Sequence, residues 1–168
     1  MALLCHVSPK LLAGESNGEY AVRTMVATHT SVDIERPAAE VFAFVTNPSN
    51  ARLWQAGLLS VTGTPGMPVG STGDIVMSVM GRTLTMKYEV LENDGKQFAR
   101  SRSRQGPIQF ETQQHVQPLP GGRARFIVET RIDAGQVFRL AESALESIAV
   151  ARMEADMATL KGLLEARR

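Results

Sequence analysis

Cysteine is nearly absent from this chain. Cys5 is the only one, so no intrachain disulfide can form and packing must stabilise the fold. A reducing cytosol suits such a chain, and a cytoplasmic location is the expectation. Long apolar runs are also missing: none approaches the length needed to cross a bilayer as a helix, so membrane insertion is not expected. Neither charge dominates, with 18 basic against 17 acidic residues and a formal net charge of +1. Phosphate backbones select a clustered positive excess, so nucleic acid is not an expected partner. Histidine occurs three times, at His6, His29 and His115, scattered and without metal-ligand spacing, so no metal is expected. No Gly-rich loop leads a strand into a helix, no Gly-x-Ser-x-Gly elbow occurs, and no carboxylates pair on a convincing inner face. No cofactor is expected.

What remains is ordinary globular composition: 43% hydrophobic and 21% charged over 168 residues, enough for one domain with its own core. Residues 1–24 show no sustained period and contain Pro9, Gly14 and Gly18. They are expected to form a poorly ordered extension, with residues 25–168 as the single domain and Met25 as an alternative start. Ala2-Leu-Leu-Cys5 resembles a lipoprotein cleavage box only superficially, because no basic segment or apolar run precedes it. The domain is expected to be a monomer or a homodimer.

The period of the pattern changes along the chain. Thr24 to Ile34 is β-branched and alternates near its end, which predicts a strand. Arg36-Pro37 ends it and starts a helix carrying Val41, Phe42, Phe44 and Val45 on its apolar face. Asn47-Pro48 breaks that helix, and a second short helix runs to Trp54, read as its anchor into the core. From Gly57 the period is two. Strands are predicted at 58–62, 74–80, 84–90, 97–103, 108–116 and 125–132. The turns between them fall at Gly81-Arg82, Asn93-Asp-Gly95, Gly106-Pro107 and Pro118 to Gly122. Gln136 to Ala166 reads as one long helix. Its apolar face begins with Val137, Ala141, Ala144, Leu145, Ile148, Ala151 and Ala155 and then shifts to Met153, Met157, Leu160 and Leu164. The class is α+β: a curved antiparallel sheet of about seven strands around a long C-terminal helix, with two short helices after the first strand.

That order, with the residues Ile34-Glu-Arg-Pro-Ala-Ala-Glu-Val-Phe-Ala-Phe-Val-Thr-Asn-Pro48 and Trp54 after them, resembles the START/Bet v 1-like (SRPBCC) superfamily and its helix-grip fold. It looks most like the polyketide cyclase/dehydrase branch. Further matches are Pro68-Val-Gly70, Ser103-Arg-Gln-Gly-Pro107, Pro120-Gly-Gly-Arg-Ala124 and Leu160-Lys-Gly-Leu-Leu-Glu165, and together they cover residues 26–166. The resemblance implies a cavity between sheet and long helix. It also implies a hydrophobic small-molecule partner: a lipid, quinone, sterol-like compound or aromatic polyketide. Some members catalyse cyclisation or dehydration, and co-chaperone relatives use the outer face instead. Carrier, enzyme and interaction module are all open at this point, since fold does not fix function.

Alternation assigns the inner face to Met77, Val79, Met86, Tyr88, Phe98, Phe110, Thr112, Phe126 and Val128, with Thr130 beside them. The long helix adds Phe138, Ala141, Leu145 and Ile148. These residues either fill a solid core or line a ligand cavity. The methionines suit an adaptable surface. Tyr88 is the best inward polar candidate, either for a ligand carbonyl or as a core tyrosine bonded to backbone. His115 alternates with Glu111, Gln113 and Gln117, which places it on the solvated face. His29 has no acidic neighbour on its own strand face. Arg100, Arg102 and Arg104 form either an anion grip or a solvated row paired with Glu and Gln across the hairpin. Phe98 shares their parity, so the inward assignment of Phe98 conflicts with the outward one of the arginines.

Overall fold

The computed structural model describes residues 25–133 and 142–166. The expected extension over residues 1–24, and the part of the predicted long helix before residue 142, lie outside them. Among the described residues ten elements follow in chain order: β1 (Met25–Ile34), α1 (Ala38–Val45), α2 (Pro48–Trp54), β2 (Leu58–Val61), β3 (Thr72–Val79), β4 (Arg82–Asn93), β5 (Phe98–Gln105), β6 (Gln109–Leu119), β7 (Arg123–Asp133) and α3 (Glu142–Ala166). The strands form one seven-stranded sheet in the order β1-β7-β6-β5-β4-β3-β2, and every neighbouring pair is antiparallel. The sheet curls without closing, so β1 and β2 remain its edges. With α3 along its concave side, this is the helix-grip arrangement that the resemblance implies.

Short-range chemistry sets the corners. Pro37 is the N-cap of α1, its fixed φ of −58° leading directly into the helix. Asn47 caps α2 by accepting a hydrogen bond from the Ser49 N–H, and Pro48 follows at the first helical position. The β3–β4 turn is Met80-Gly81, one residue earlier than expected. Both have positive φ (49° and 75°), as a two-residue type I′ hairpin requires. At the β4–β5 turn the Asp94 carboxylate accepts N–H bonds from Lys96, Gln97 and Phe98 at 2.9, 2.8 and 2.9 Å, which lowers its pKa to about 2. Pro118 lies inside β6, opposite Ala124, and not in the following turn.

The C-terminal half of α3 holds the β1–α1 corner. Lys161 donates to the Asp33 carbonyl, Arg36 donates to the Leu164 carbonyl, and the Glu165 carboxylate accepts the Glu35 N–H. Met157, Leu160 and Leu164 are buried there with Ile34, Val41, Phe44, Trp54 and Phe126. Ala151 and Ala155, expected on the apolar face, are exposed. The buried stripe runs through Met157, Leu160 and Leu164, as expected of the shifted face, and takes in Asp156, because larger side chains displace alanine from the packed face.

Candidate functional site

Strand register defines the concave face. Across β1-β7-β6 the inward rows are Ile34–Ala124–Pro118, Val32–Phe126–Val116, Thr30–Val128–Gln114, Thr28–Thr130–Thr112 and Val26–Ile132–Phe110. Ala99 and Ser101 extend the Gln114 and Thr112 rows onto β5. On the other side of the sheet, Tyr88, Met86 and Leu84 face inward opposite Gly73, Ile75 and Met77.

Two apolar clusters occupy this face. One, closed by α1, α2 and the end of α3, contains Val32, Ile34, Trp54, Ala99, Val116, Phe126 and Val128. The other contains Leu84, Met86 and Ile108, with Ile75, Met77, Val79, Phe110 and Ile132 only partly buried against it. The described part of α3 lies closest to β1 and α2. Its described C-terminal half packs against the first cluster.

Between the clusters runs a polar band. Ser101, Thr112, Thr130 and Thr28 stand directly opposite one another across β5, β6, β7 and β1. The Thr112 and Thr130 hydroxyls are 3.2 Å apart and bonded. Thr28 is 3% exposed and Thr30 1%, yet neither hydroxyl has a partner. The buried Gln114 Oε1 and the Trp54 indole N–H also lack one. Trp54 sits edge-on to Phe126, with ring centroids 6.1 Å apart. A buried polar group left unpaired costs about 1–3 kcal/mol, and such groups are rare in native interiors. Thr28, Thr30 and Gln114 share or adjoin the same inward rows of the sheet.

Met77, Val79, Met86, Tyr88, Phe110, Thr112, Phe126 and Val128 all occupy inward positions. Phe98 does not. It stands opposite His115 on the outer face, with the two rings edge to face at 6.4 Å. Ala99 takes the inward position, so the conflict with the arginines resolves in their favour. Phe98 is the first residue of β5, where its ring covers His115 and cannot reach the core. Leu145 and Ile148 fall in the first turns of α3, with side chains outside the described set. Phe138 and Ala141 lie outside the described residues.

Tyr88 is 5% exposed and donates to the Thr62 carbonyl at 3.0 Å. Its ring lies over Gly73, where any Cβ would collide with both the ring and the Thr62 carbonyl. Burial raises the phenol pKa, and the nearby Asp74 raises it further. Tyr88 is thus a protonated donor already committed to holding the β2–β3 connection.

The arginines pair across the outer face: Arg100 with Glu92 and Glu111, and Arg102 and Arg104 with Glu89. His29, expected to lack an acidic partner, meets Glu129 of β7 at 3.1 Å. Its partner lies across a strand pair whose members are far apart in sequence. At the α2–α3 seam, Asp156 is 9% exposed and accepts the Ala56 N–H at 3.0 Å. Burial raises its pKa, while the Ala56 N–H and the neighbouring Arg152 oppose the rise. Arg152 reaches the Ser78 carbonyl and lies against Gly57.

Sequence reasoning did not single out Thr28, Thr30 or Gln114. The signal was present: Thr28 and Thr30 share parity with Val32 and Ile34, and Gln114 shares it with Val116. Outside the sheet, a surface depression of about 460 Å³ lies between α1 and the β4–β5 turn, bordered by Ala39, Phe42, Thr46 and Lys96. It is separate from the concave face. Among the described residues no group of three or more His, Cys, Asp or Glu could hold a metal ion, and no helix is long and apolar enough to cross a membrane.

Solved structures share this architecture. A START superfamily protein from Mycobacterium smegmatis superposes with a TM-score of 0.70 at 12% identity, covering 84% of this chain and 99% of its own. The Zhui aromatase/cyclase from Streptomyces sp. R1128 gives 0.70 at 16% identity, covering 85% and 95%. Ara h 8.0201 gives 0.62 at 10% identity, covering 85% and 99%. At such identities the likeness concerns the fold. No curated protein matches the sequence. The match of residues 25–165 to a family model agrees with the fold, and the chain belongs to the polyketide cyclase / dehydrase and lipid transport family.

Proposed function

We propose that this protein binds a hydrophobic small molecule against the concave face of the sheet. Family membership and fold fit hydrophobic-ligand binding and a polyketide cyclase-type role alike. The observation that carries the binding reading is the second apolar cluster, whose Ile75, Met77, Val79, Phe110 and Ile132 are only partly buried although they face inward. Partly covered inner-face apolar surface is a receptor for apolar surface from a ligand, contributing about 25 cal/mol per Å² buried before ordering costs. Met77 and Met86 can adapt to its shape. Leu145 and Ile148 on α3, with Phe138 and Ala141 before it, complete the proposed lining.

Carriage is preferred over catalysis because the inward strand positions offer little acid–base chemistry. They hold no carboxylate, and their one cation, Arg82, sits at the exposed start of β4. Tyr88 is engaged with Thr62. The test is native mass spectrometry of protein purified gently from its own host, followed by solvent extraction and identification of any released compound. A stoichiometric apolar compound supports the reading. A clean apo mass, together with no uptake when apolar compounds are added back, counts against it.

A further inference from the structure

We infer that the Ser101–Thr112–Thr130–Thr28 row, with Thr30 and Gln114 beside it, is a polar recognition band selecting neutral, oxygen-bearing hydrophobic ligands over hydrocarbons and carboxylates. This rests on the proposed binding function and specifies the ligand chemistry of that same face. The band crosses four strands in register and lies between the two apolar clusters. An apolar molecule spanning both clusters must therefore cross it. Within the band only the Thr112–Thr130 pair is bonded side chain to side chain. The hydroxyls of Thr28 and Thr30, 3% and 1% exposed, and the Gln114 Oε1 are unpartnered. Hydroxyls donate and accept, and the amide supplies both roles, so a ketone or hydroxyl on the ligand can be matched either way. Among the described residues no fixed positive charge lies in the band. A carboxylate brought there loses its hydration without an ion partner.

The expected preference runs opposite to plain hydrophobicity. A wholly apolar pocket favours a hydrocarbon over the matching ketone, because the ketone sheds water and gains nothing in return. A pocket with unpaired donors reverses that order.

Equilibrium dialysis of the full chain against matched probes reads this directly. The probes are 2-acetylnaphthalene, 2-ethylnaphthalene and 2-naphthoate, with 9-fluorenone and fluorene as a second shape. The ketones are expected to bind at least about fivefold tighter than their hydrocarbons, and 2-naphthoate weakest of all. In the Thr28→Val/Thr30→Val/Gln114→Leu variant the ketone preference should vanish or reverse, with ketone affinity falling and hydrocarbon affinity rising as the band becomes apolar. Thr28→Ser/Thr30→Ser, which retains both hydroxyls, should retain the preference. If the triple variant does not fold, Thr28→Val alone is read, and a reduced preference is expected. Equal affinity for ketone and hydrocarbon, or a preference unchanged in the variant, overturns the band and leaves the binding function standing. Failure of every probe to bind overturns both.

Discussion

Replacing Thr30 by valine should stabilise the ligand-free protein, contrary to the usual result of altering a fully buried residue. Thr30 is 1% exposed, faces inward from β1 opposite Val128, and its hydroxyl has no partner. Valine has nearly the same shape and suits a strand at least as well. The substitution removes a desolvated hydroxyl that costs about 1–3 kcal/mol when unpaired. It adds a buried methyl worth about 0.8 kcal/mol. Allowing for imperfect packing, the net gain should be about 1–2 kcal/mol, or roughly 3–6 °C in melting temperature for a chain of this size. Urea denaturation of the purified full chain, with calorimetry beside it, checks this: the midpoint should rise at unchanged m-value. A loss of about 1 kcal/mol or more would refute the reasoning. It would mean that the Thr30 hydroxyl is satisfied inside the fold and that the polar band is structural.

Two further outcomes follow from the same geometry. Tyr88→Phe removes the bond to the Thr62 carbonyl and should cost about 1 kcal/mol in denaturation while leaving probe affinity within about twofold; a large loss of affinity would place the phenol in the binding site. Asp156→Asn keeps an acceptor for the Ala56 N–H but removes a buried charge. The folded pKa of Asp156 is raised, so its ionisation opposes folding above that pKa and the opposition fades as pH falls. The variant should therefore melt higher than the parent at neutral pH, with the gain gone by the ordinary aspartate value of 3.8. A pH-independent difference would contradict this assignment.

The fold was legible because its punctuation is local. Pro37, Asn47-Pro48, Asn93-Asp-Gly95 and the switch from period 3.6 to period 2 fix element order without long-range information. Parity likewise put Met86, Phe126 and Val128 on the inward face. What failed depended on neighbours in space. Phe98 looks like an inner-face residue by its chemistry, but the register set by Ala99 and Ser101 turns it outward. Two bulges in the β4–β5 pair, at Lys87/Tyr88 and Val90/Glu92, blur that register in sequence. The His29–Glu129 pair joins strands 100 residues apart. Parity put Thr112 and Thr130 of the polar band on the inward face, but Thr28, Thr30 and Gln114 were missed for another reason. Parity with Val32 and Ile34 marks Thr28 and Thr30 as inward, but threonine is a common strand residue on either face, and only the structure shows both hydroxyls buried without a partner.

The central claim is that an apolar ligand lies against the inner face of β3 and β4, and methionine-methyl NMR tests it most directly. Met77 and Met86 face inward there, while Met80 sits in the exposed β3–β4 turn and Met67 in the loop before β3. On titration with 2-acetylnaphthalene, ring currents should shift the Met77 and Met86 methyl signals and leave those of Met67 and Met80 in place. Unmoved Met77 and Met86 signals at saturating probe, or shifts confined to Met67 and Met80, would contradict the account.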